Sequence, residues 1–574
     1  PAVRELEDLL HYETVPACPF GDGPIMDKAH AFSHEGKLYH SRSCFENVQL
    51  AEEASQCANC GRDLSDPSDI DPRWQEDLGP ALRLLRAIEQ DRSLLTTLSA
   101  AERKELLTLA GLVSKPDRHD LVKMAKAFRR AERQASRERD RQAIELAGLR
   151  QQRRAEEYTP LWLPPPEAAH LSEATPRLTT DRACYICKAP YTNVHRYYDA
   201  MCTDCGEFNY AKRSQSADLN GHYALVTGGR VKIGFQASLM LLRAGAHVIV
   251  VTRFPVDAAD RYSREGDFAQ FQDRLQIHGV DLRHTPSVEI FARYLAESLP
   301  RLDYLINNAC QTVRRPAGFF RHLLEREALA EESLPEPYRT VLRSHSTLVK
   351  RIDSIPDQTV QALTTHSGAS AGEGLVRSAL LSQRRYLDED YLTGAEIFPD
   401  GRYDEDRQQI DLRHTNSWRL RLHEVETPEL LEVQLINSIA PYILNARLKP
   451  LMVRTPGRHK HIVNVSAMEG QFYRTTKTDK HPHTNMAKAA LNMMTRTSAP
   501  DFVRDGIHMN AVDTGWVTDE DPAVHAARKA EEGFAPPLDI IDGAARVVDP
   551  VFSGINTGTH VWGQFLKDYR SVPW

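Results

Sequence analysis

From about residue 220 to its end, the sequence predicts an α/β fold. The expected architecture is a doubly wound parallel sheet with a large insertion, preceded by small cysteine-rich modules and a helical segment. Three observations carry this reading. Short β-branched runs, YALVTG, HVIVVTR, YLINNA and HIVNVSA, alternate with helical stretches, the pattern of a parallel sheet with crossover helices. The first run ends in a glycine-containing turn, TGGRVKIG, that opens a helix. Nine cysteines stand at 18, 44, 57, 60, 184, 187, 202, 205 and 310, eight of them in the first 205 residues.

At 574 residues and 64.9 kDa the chain is too long for one compact domain and reads as roughly two to four. A composition 41% hydrophobic and 26% charged, with net charge -7 and mean hydropathy -0.48, excludes wholesale disorder. No apolar run reaches the ~18 residues of a membrane helix; SLMLLRAGAHVIVV is broken by Arg243. The first thirty residues show no basic-then-apolar signal pattern, so a cytoplasmic location is expected. Composition shifts divide the chain into residues 1–75, 76–160, 161–215 and 216–574, the last carrying an insertion at about 318–420.

In the first segment Cys57-x2-Cys60 makes one metal knuckle, with Cys44, His40, His34 and Cys18 upstream. GKLYHSRSCF followed by CANCGRDL resembles a treble clef of the LIM or RING kind. The expected ligands are Cys57, Cys60, Cys44 and either His40 or Cys18, while His30 and His34 read as ordinary surface histidines. Residues 76–160 are helical, with Ser99 a candidate N-cap ahead of Ala-Glu-Arg. Lys123 to Arg154 holds eleven Lys or Arg against four Asp or Glu. Nearly free of aromatic stacking platforms, it reads as a solvated helix with internal charge pairs rather than a nucleic-acid arm. Three prolines in LWLPPPEAAH then mark a linker.

Cys184-x2-Cys187 and Cys202-x2-Cys205, fourteen residues apart, suit one closed tetrahedral S4 site and hence structural zinc. The module resembles a zinc ribbon. Modules of the LIM or RING kind, as in the first segment, mediate binding, so a protein partner is one expectation.

In the last segment further features follow the glycine turn in order. Asp281-Leu282 follows a third strand, and Asn307-Asn308-Ala309-Cys310 ends a fourth. Asn437 lies in VQLINSIAPYIL, Ser466 ends HIVNVSA, Lys488 opens KAALNMMTRTSA, and NAVDTGWVTDE ends the next strand. Order and spacing resemble the short-chain dehydrogenase/reductase family over residues 220–574. The resemblance implies a Rossmann-like dinucleotide fold, an oxidoreductase activity on a carbonyl or alcohol, and catalytic roles for Asn437, Ser466 and Lys488. Gly228, Ile233, Gly234, Asn308 and Ala309 match its turn and NNAG elements, and Val517 and Thr518 its nicotinamide segment, with Lys488 on the nicotinamide ribose. Family members often pair through the helices near Asn437 and Lys488, which implies a possible homo-oligomer.

The departures are specific. Lys232 replaces the turn's middle glycine, where it crowds the pyrophosphate or pairs with it. Thr514 replaces the motif proline. Thr484 stands where the family has tyrosine, four residues before Lys488, and an aliphatic hydroxyl is too weak an acid for the same task. Tyr473 is the candidate to supply the phenol, with His483 behind it. The end of the second strand carries Thr252-Arg253 and no acid. An acid there would hold an NAD ribose, whereas Arg253, Arg230 and Lys232 suit a 2′-phosphate, so NADP(H) is favoured over NAD(H). The insertion falls beside the ligand crevice and nominates Arg413, His414 and Trp418 as substrate contacts. The leading expectation is an NADP(H)-dependent reductase with accessory zinc modules. A catalytically altered dinucleotide-binding sensor or scaffold is the second, and a nucleic-acid factor the weakest.

Overall fold

The computed structural model describes residues 32–34, 37–39, 74–154, 176–353, 372–404, 406–473 and 477–574. Cys18, His40, Cys44, Cys57 and Cys60, expected to bind metal, lie outside the described residues, as does the proline-rich linker. Two compact units are present, 1–127 and 128–574.

In the first unit β1 (Phe32–His34) and β2 (Lys37–Tyr39) pair antiparallel. Helix α1 spans Trp74–Gln90 and α2 Ala100–Ser114. Ser99 caps α2: its Oγ accepts from Glu102 N (3.2 Å), and Glu102 Oε2 accepts from Ser99 N (2.9 Å). This reciprocal box satisfies two donors the helix start leaves open. The basic segment forms α3 (Arg118–Glu145), which belongs to the first unit up to residue 127 and to the second from residue 128; it is largely exposed and carries an Arg141–Glu138 pair at 2.8 Å.

The second unit is built on an eight-stranded sheet. Its strands are β5 (Tyr223–Thr227), β6 (His247–Thr252), β7 (Leu275–Gly279), β8 (Tyr304–Asn307), β9 (Lys460–Ser466), β10 (Ile507–Asp513), β11 (Phe565–Lys567) and β12 (Arg570–Val572). The spatial order is β12-β11-β10-β9-β8-β5-β6-β7, parallel except for β12. The chain winds outward from β5 in one direction and restarts at β8 in the other. That leaves a crevice at their carboxyl ends, where this topology binds ligands.

Period-two alternation sorts the core. Ala224 and Val226 of β5 face one layer, with α6 (Lys232–Arg243) and the later helix Ile540–Thr557; Leu225 faces the opposite layer. Burial of each such Val or Leu contributes ~1.5–3 kcal/mol. Because β6 is buried on both faces, HVIVVT reads as an unbroken apolar run. Helices α7 (Pro255–Ser263), α8 (Thr285–Ser298), α9 (Glu336–Asp353), α10 (Thr427–Gln434), α11 (Ala440–Val453), α12 (Pro482–Phe502) and α13 (Ile540–Thr557) complete the layers. A π-helical segment, Leu435–Ile439, joins α10 to α11 and contains Asn437.

The cysteine module is part of this same unit. Helix α4 (Gly148–Arg153) precedes strands β3 (Arg177–Ala183) and β4 (Pro190–Asn193), and α5 (Thr203–Arg213) follows them. Asp140 of α3 anchors β3 by accepting from Thr179 N (2.5 Å) and Thr180 Oγ1 (2.6 Å). Arg153 donates to the carbonyls of Pro536 (2.5 Å) and Leu538 (2.7 Å). This packing joins segments that the composition shifts divide at 160 and 215.

Candidate functional site

At the end of β5, Thr227 Oγ1 accepts from the amides of Asn308 (3.1 Å) and Ala309 (3.0 Å), tying the glycine turn to the end of β8. Gly228 has φ +70, and a Cβ there would stand 2.8 Å from Ala309 Cα. A Cβ on Gly234 would stand 2.2 Å from the Gly228 carbonyl oxygen. Neither position admits another residue. Lys232 also adopts a left-handed backbone, φ +54, a strain of ~1–3 kcal/mol for a non-glycine residue. The turn therefore keeps a glycine's backbone without the glycine. Burial lowers the pKa of the Lys232 ammonium, but Glu520, Asp406 and Asp404 outweigh it and raise the group overall; Asp406 lies 3.9 Å away.

The two arginines expected at a 2′-phosphate differ. Arg230 is buried and donates to Asp257 Oδ2 at 2.7 Å and Gln408 Oε1 at 3.4 Å. Expected from the sequence at a 2′-phosphate, it has its charge paired with Asp257. Arg253 lies over the rings of Phe254 (5.5 Å) and Phe320 (4.7 Å) and has no carboxylate within ion-pair distance among the described residues. Burial, then the charge of Arg283, push its pKa down to about 10. Asp281 is buried and gripped by Arg283 (2.7 Å), which also reaches Glu432 (2.8 Å). These groups share a cleft of about 370 Å³ that also takes in Leu282, Ile233, Val517 and Thr518. The insertion supplies a wall of it through Phe320, Ser382, Arg384, Asp404 and Gln408.

Asn437 clamps the segment after β8, accepting from Gln311 N (2.8 Å) and donating to Gln311 O (3.1 Å). The π turn that contains it is a form found frequently at functional sites. Ser466, at the end of β9, donates to Asn492 Oδ1 at 2.6 Å. Lys488 donates to the Val465 carbonyl at 2.8 Å. Thr484, Lys488 and Asn492 recur every four residues and so share one face of α12. The sequence reading passed over Asn492, whose signal is that spacing from Lys488. The Thr484 hydroxyl is buried without a hydrogen-bond partner among the described residues. His483 Nε2 lies 3.3 Å from Glu429 Oε1. Tyr473 is 53% exposed and makes no hydrogen bond to a described residue, so no bond ties it to the Ser466–Lys488 group. Of the insertion candidates, Arg413 is spent on Asp411 (2.8 Å) and Glu389 (2.6 Å), Trp418 stacks on His481 at 4.0 Å, and His414 is exposed.

Cys184, Cys187, Cys202 and Cys205 place their sulfurs within 4.8 Å of one another. The Cys187–Cys202 separation is 3.8 Å, the edge of a tetrahedron with Zn–S of ~2.3 Å. Against burial, amide donors from Cys202, Cys187 and Ile186 hold Cys184 down to about 7, while burial and neighbouring sulfurs push Cys205 up. The donor set fits a zinc ion. Tyr185, inside the first knuckle, accepts from Trp516 N at 3.0 Å, one residue before Val517 of the cleft.

A family model described as short chain dehydrogenase matches residues 222–328, and one described as enoyl-(acyl carrier protein) reductase matches residues 414–535. The gap between them is most of the insertion. An uncharacterised protein of Acanthamoeba polyphaga mimivirus is 31% identical over 410 residues, covering 68% of this chain and 75% of its own. The dehydrogenase/reductase SDR family member 13 of Bos taurus is 37% identical over 112 residues, 17% of this chain and 27% of that protein. A short chain dehydrogenase from Burkholderia cenocepacia, solved in complex with NADP, is 17% identical with a TM-score of 0.36, covering 61% of this chain and 97% of that one. Motif order, sheet topology and both family matches coincide on one domain, and the chain belongs to the short-chain dehydrogenase/reductase family.

Proposed function

We propose that the chain is an NADP(H)-dependent oxidoreductase interconverting a carbonyl and an alcohol on a small molecule. The observation that carries the cofactor choice is Arg253, a cation without a carboxylate partner at the end of β6, in the cleft. Gly228, Gly234, Asn308 and Ala309 would hold the pyrophosphate side, and Val517, Thr518 and Lys488 the nicotinamide side. Bound there, the nicotinamide supplies or accepts the hydride. Ser466 would hold the substrate oxygen, and Lys488 would favour the ionised form of the acid. Asn437 would order a water relay behind it. Tyr473, on the segment following β9, is assigned the proton exchange.

In this reading zinc fills the Cys184–Cys205 site as a structural brace for the cleft wall, through Tyr185 and Trp516. Partner recruitment then falls to residues 1–75, and thiols kept for metal suit a cytoplasmic location. Among the described residues no helix is long and apolar enough to cross a membrane. Replacing Cys187 by Ser is expected to weaken NADPH binding several-fold without touching the cleft, as read by nicotinamide fluorescence. Unchanged affinity in a zinc-depleted variant would separate the ribbon from the cleft.

The function test offers the full chain NADPH with a panel of aldehydes and ketones. Turnover in wild type, reduced at least ~100-fold in Tyr473→Phe and in Ser466→Ala, supports the reductase and the relocated phenol. Turnover intact in Tyr473→Phe removes Tyr473 from the mechanism. The buried hydroxyl of Thr484 and a Tyr473 without a hydrogen bond among the described residues favour a second reading, a dinucleotide sensor or scaffold. Tight NADPH binding with no turnover on any substrate is its signature.

A further inference from the structure

We propose that His461, His508 and His560 form a second metal site, for a divalent transition ion of the zinc class, at the end of the sheet opposite the cleft. His461 and His508 are the second residues of β9 and β10 and pair directly in register. His560 arrives from beyond α13, just past Gly558. The three offer ligand nitrogens that lie within 4.8 Å of one another. His461 Nε2 and His560 Nδ1 face each other at 2.9 Å, and the His508 and His560 rings lie 4.7 Å apart.

The second ring nitrogens of His508 and His560 are used as those of metal-bound histidines are, to fix tautomer and orientation, while His461 Nδ1 is buried without a hydrogen-bond partner among the described residues. His508 Nδ1 lies 3.2 Å from the Lys460 carbonyl oxygen. A carbonyl only accepts, so Nδ1 carries the proton and the Nε2 lone pair is free. His560 Nε2 lies 2.9 Å from His459 Nδ1, which leaves Nδ1 for the ion. The space where the nitrogens converge is kept open by a glycine. A Cβ on Gly554 of α13 would stand 2.5 Å from His560 Nδ1 and 3.0 Å from His461 Nε2.

Three imidazoles are a borderline-soft donor set that suits zinc, nickel or copper ahead of magnesium or calcium. They leave a fourth position for water. His461 precedes Ser466 by five residues along β9, about 17 Å at ~3.3 Å per residue. The ion would therefore take no part in the proposed hydride chemistry. It would pin β9, β10 and the segment leading into β11 together, and so would stabilise the folded state by mass action.

The test uses the full chain, dialysed against chelator and titrated with cobalt(II). The Cys184–Cys205 site and the thiolate set expected at Cys44, Cys57 and Cys60 both announce themselves by a thiolate charge-transfer band, and a nitrogen-only site by weaker visible absorption alone. In wild type the visible absorption is expected to keep growing after the thiolate band saturates. After reloading with zinc, His508→Gln/His560→Gln is expected to retain one zinc fewer per chain than wild type by elemental analysis. Its thiolate band should be unchanged, and Gly554→Ala should behave alike. Visible absorption that saturates together with the thiolate band in wild type overturns the proposal without reference to any variant. Equal zinc content in wild type and the folded double variant, judged by circular dichroism, overturns it as well.

Discussion

Replacing Arg213 by Met is expected to destabilise the 128–574 unit by ~3–5 kcal/mol, the cost of leaving buried charge uncompensated. Arg213 Nη1 lies 2.7 Å from Asp539 Oδ1 and 3.0 Å from Asp542 Oδ1, with all three side chains 3% exposed or less. The two carboxylates also cap α13 reciprocally: Asp539 Oδ1 accepts from Asp542 N (2.9 Å), and Asp542 Oδ2 from Asp539 N (3.0 Å). Tyr197 donates to Asp539 at 2.9 Å, and Tyr198 donates to Asp542. Arg213 alone bridges both carboxylates; Arg546 also favours the ionised form of Asp542 but is itself paired with Asp568 at 3.2 Å, so two carboxylates share little more than one guanidinium. Against burial, Arg213 draws Asp539 down to about 2, while burial and the Asp539 charge push Asp542 up to about 6. Urea midpoints at neutral pH check the variant. Adding Asp539→Asn should recover part of the loss, because charge is its source; no recovery would assign the effect to packing over the Tyr197 ring. The Asp542 shift has its own sign. A carboxyl raised in the folded state favours folding fully below its unfolded pKa of ~3.9, and that contribution is lost as pH rises through about 6. Asp542→Asn should therefore gain on wild type between pH 4 and pH 7, and a constant difference across that range refutes the shift.

This cluster also marks the limit of what is legible in sequence. The strands announce themselves because burial on both faces demands unbroken apolar runs, as in β6. The glycine turn is legible because Gly228 and Gly234 leave no room for a Cβ. The second cysteine quartet is legible because its ligands fall within twenty-two residues, 184 to 205. Arg213 meets Asp539 across 326 residues, and no local pattern announces such a pair. The same holds for His461, His508 and His560: the parallel register pairs the first two, and the segment after α13 brings the third. Lys232 misleads in the opposite direction: its identity argues against a glycine-like turn, yet its φ of +54 keeps one. The insertion was expected beside the crevice from its place after β8. Which of its residues enter was not legible, since its contacts are long-range: Arg413 and Trp418 pack within it or against α12's start, and Phe320 and Asp404 face the cleft.

Arg253→Ala is expected to weaken NADPH binding by at least ~30-fold while leaving NADH within about threefold. Truncating one partner of a buried charge pair costs ~2–5 kcal/mol, and ~2 kcal/mol is ~30-fold in Kd. Selectivity follows from position. Arg253 comes directly after Thr252, where the ribose of a bound dinucleotide is read in this topology. It stacks on rings and pairs with no carboxylate among the described residues; burial and Arg283 disfavour its charge more than the more distant Asp281 and Glu432 favour it, which holds its pKa down to about 10. An incoming phosphate offsets both with opposite charge and hydrogen-bond acceptors. Arg230 cannot substitute, because displacing it from Asp257 at 2.7 Å would strand a buried carboxylate. Arg253→Lys keeps the charge but loses the planar fork and the stacking, so its affinity should fall between wild type and Ala. Phe320→Ala removes one ring and, at ~1 kcal/mol for such a cation–π contact, should cost about fivefold for NADPH alone. Equal losses for NADPH and NADH in Arg253→Ala would mean the arginine shapes the cleft without reading the 2′ position. No loss for either would move the phosphate to Lys232, the remaining cation of the turn, whose ammonium would first have to leave Asp406 and Glu520.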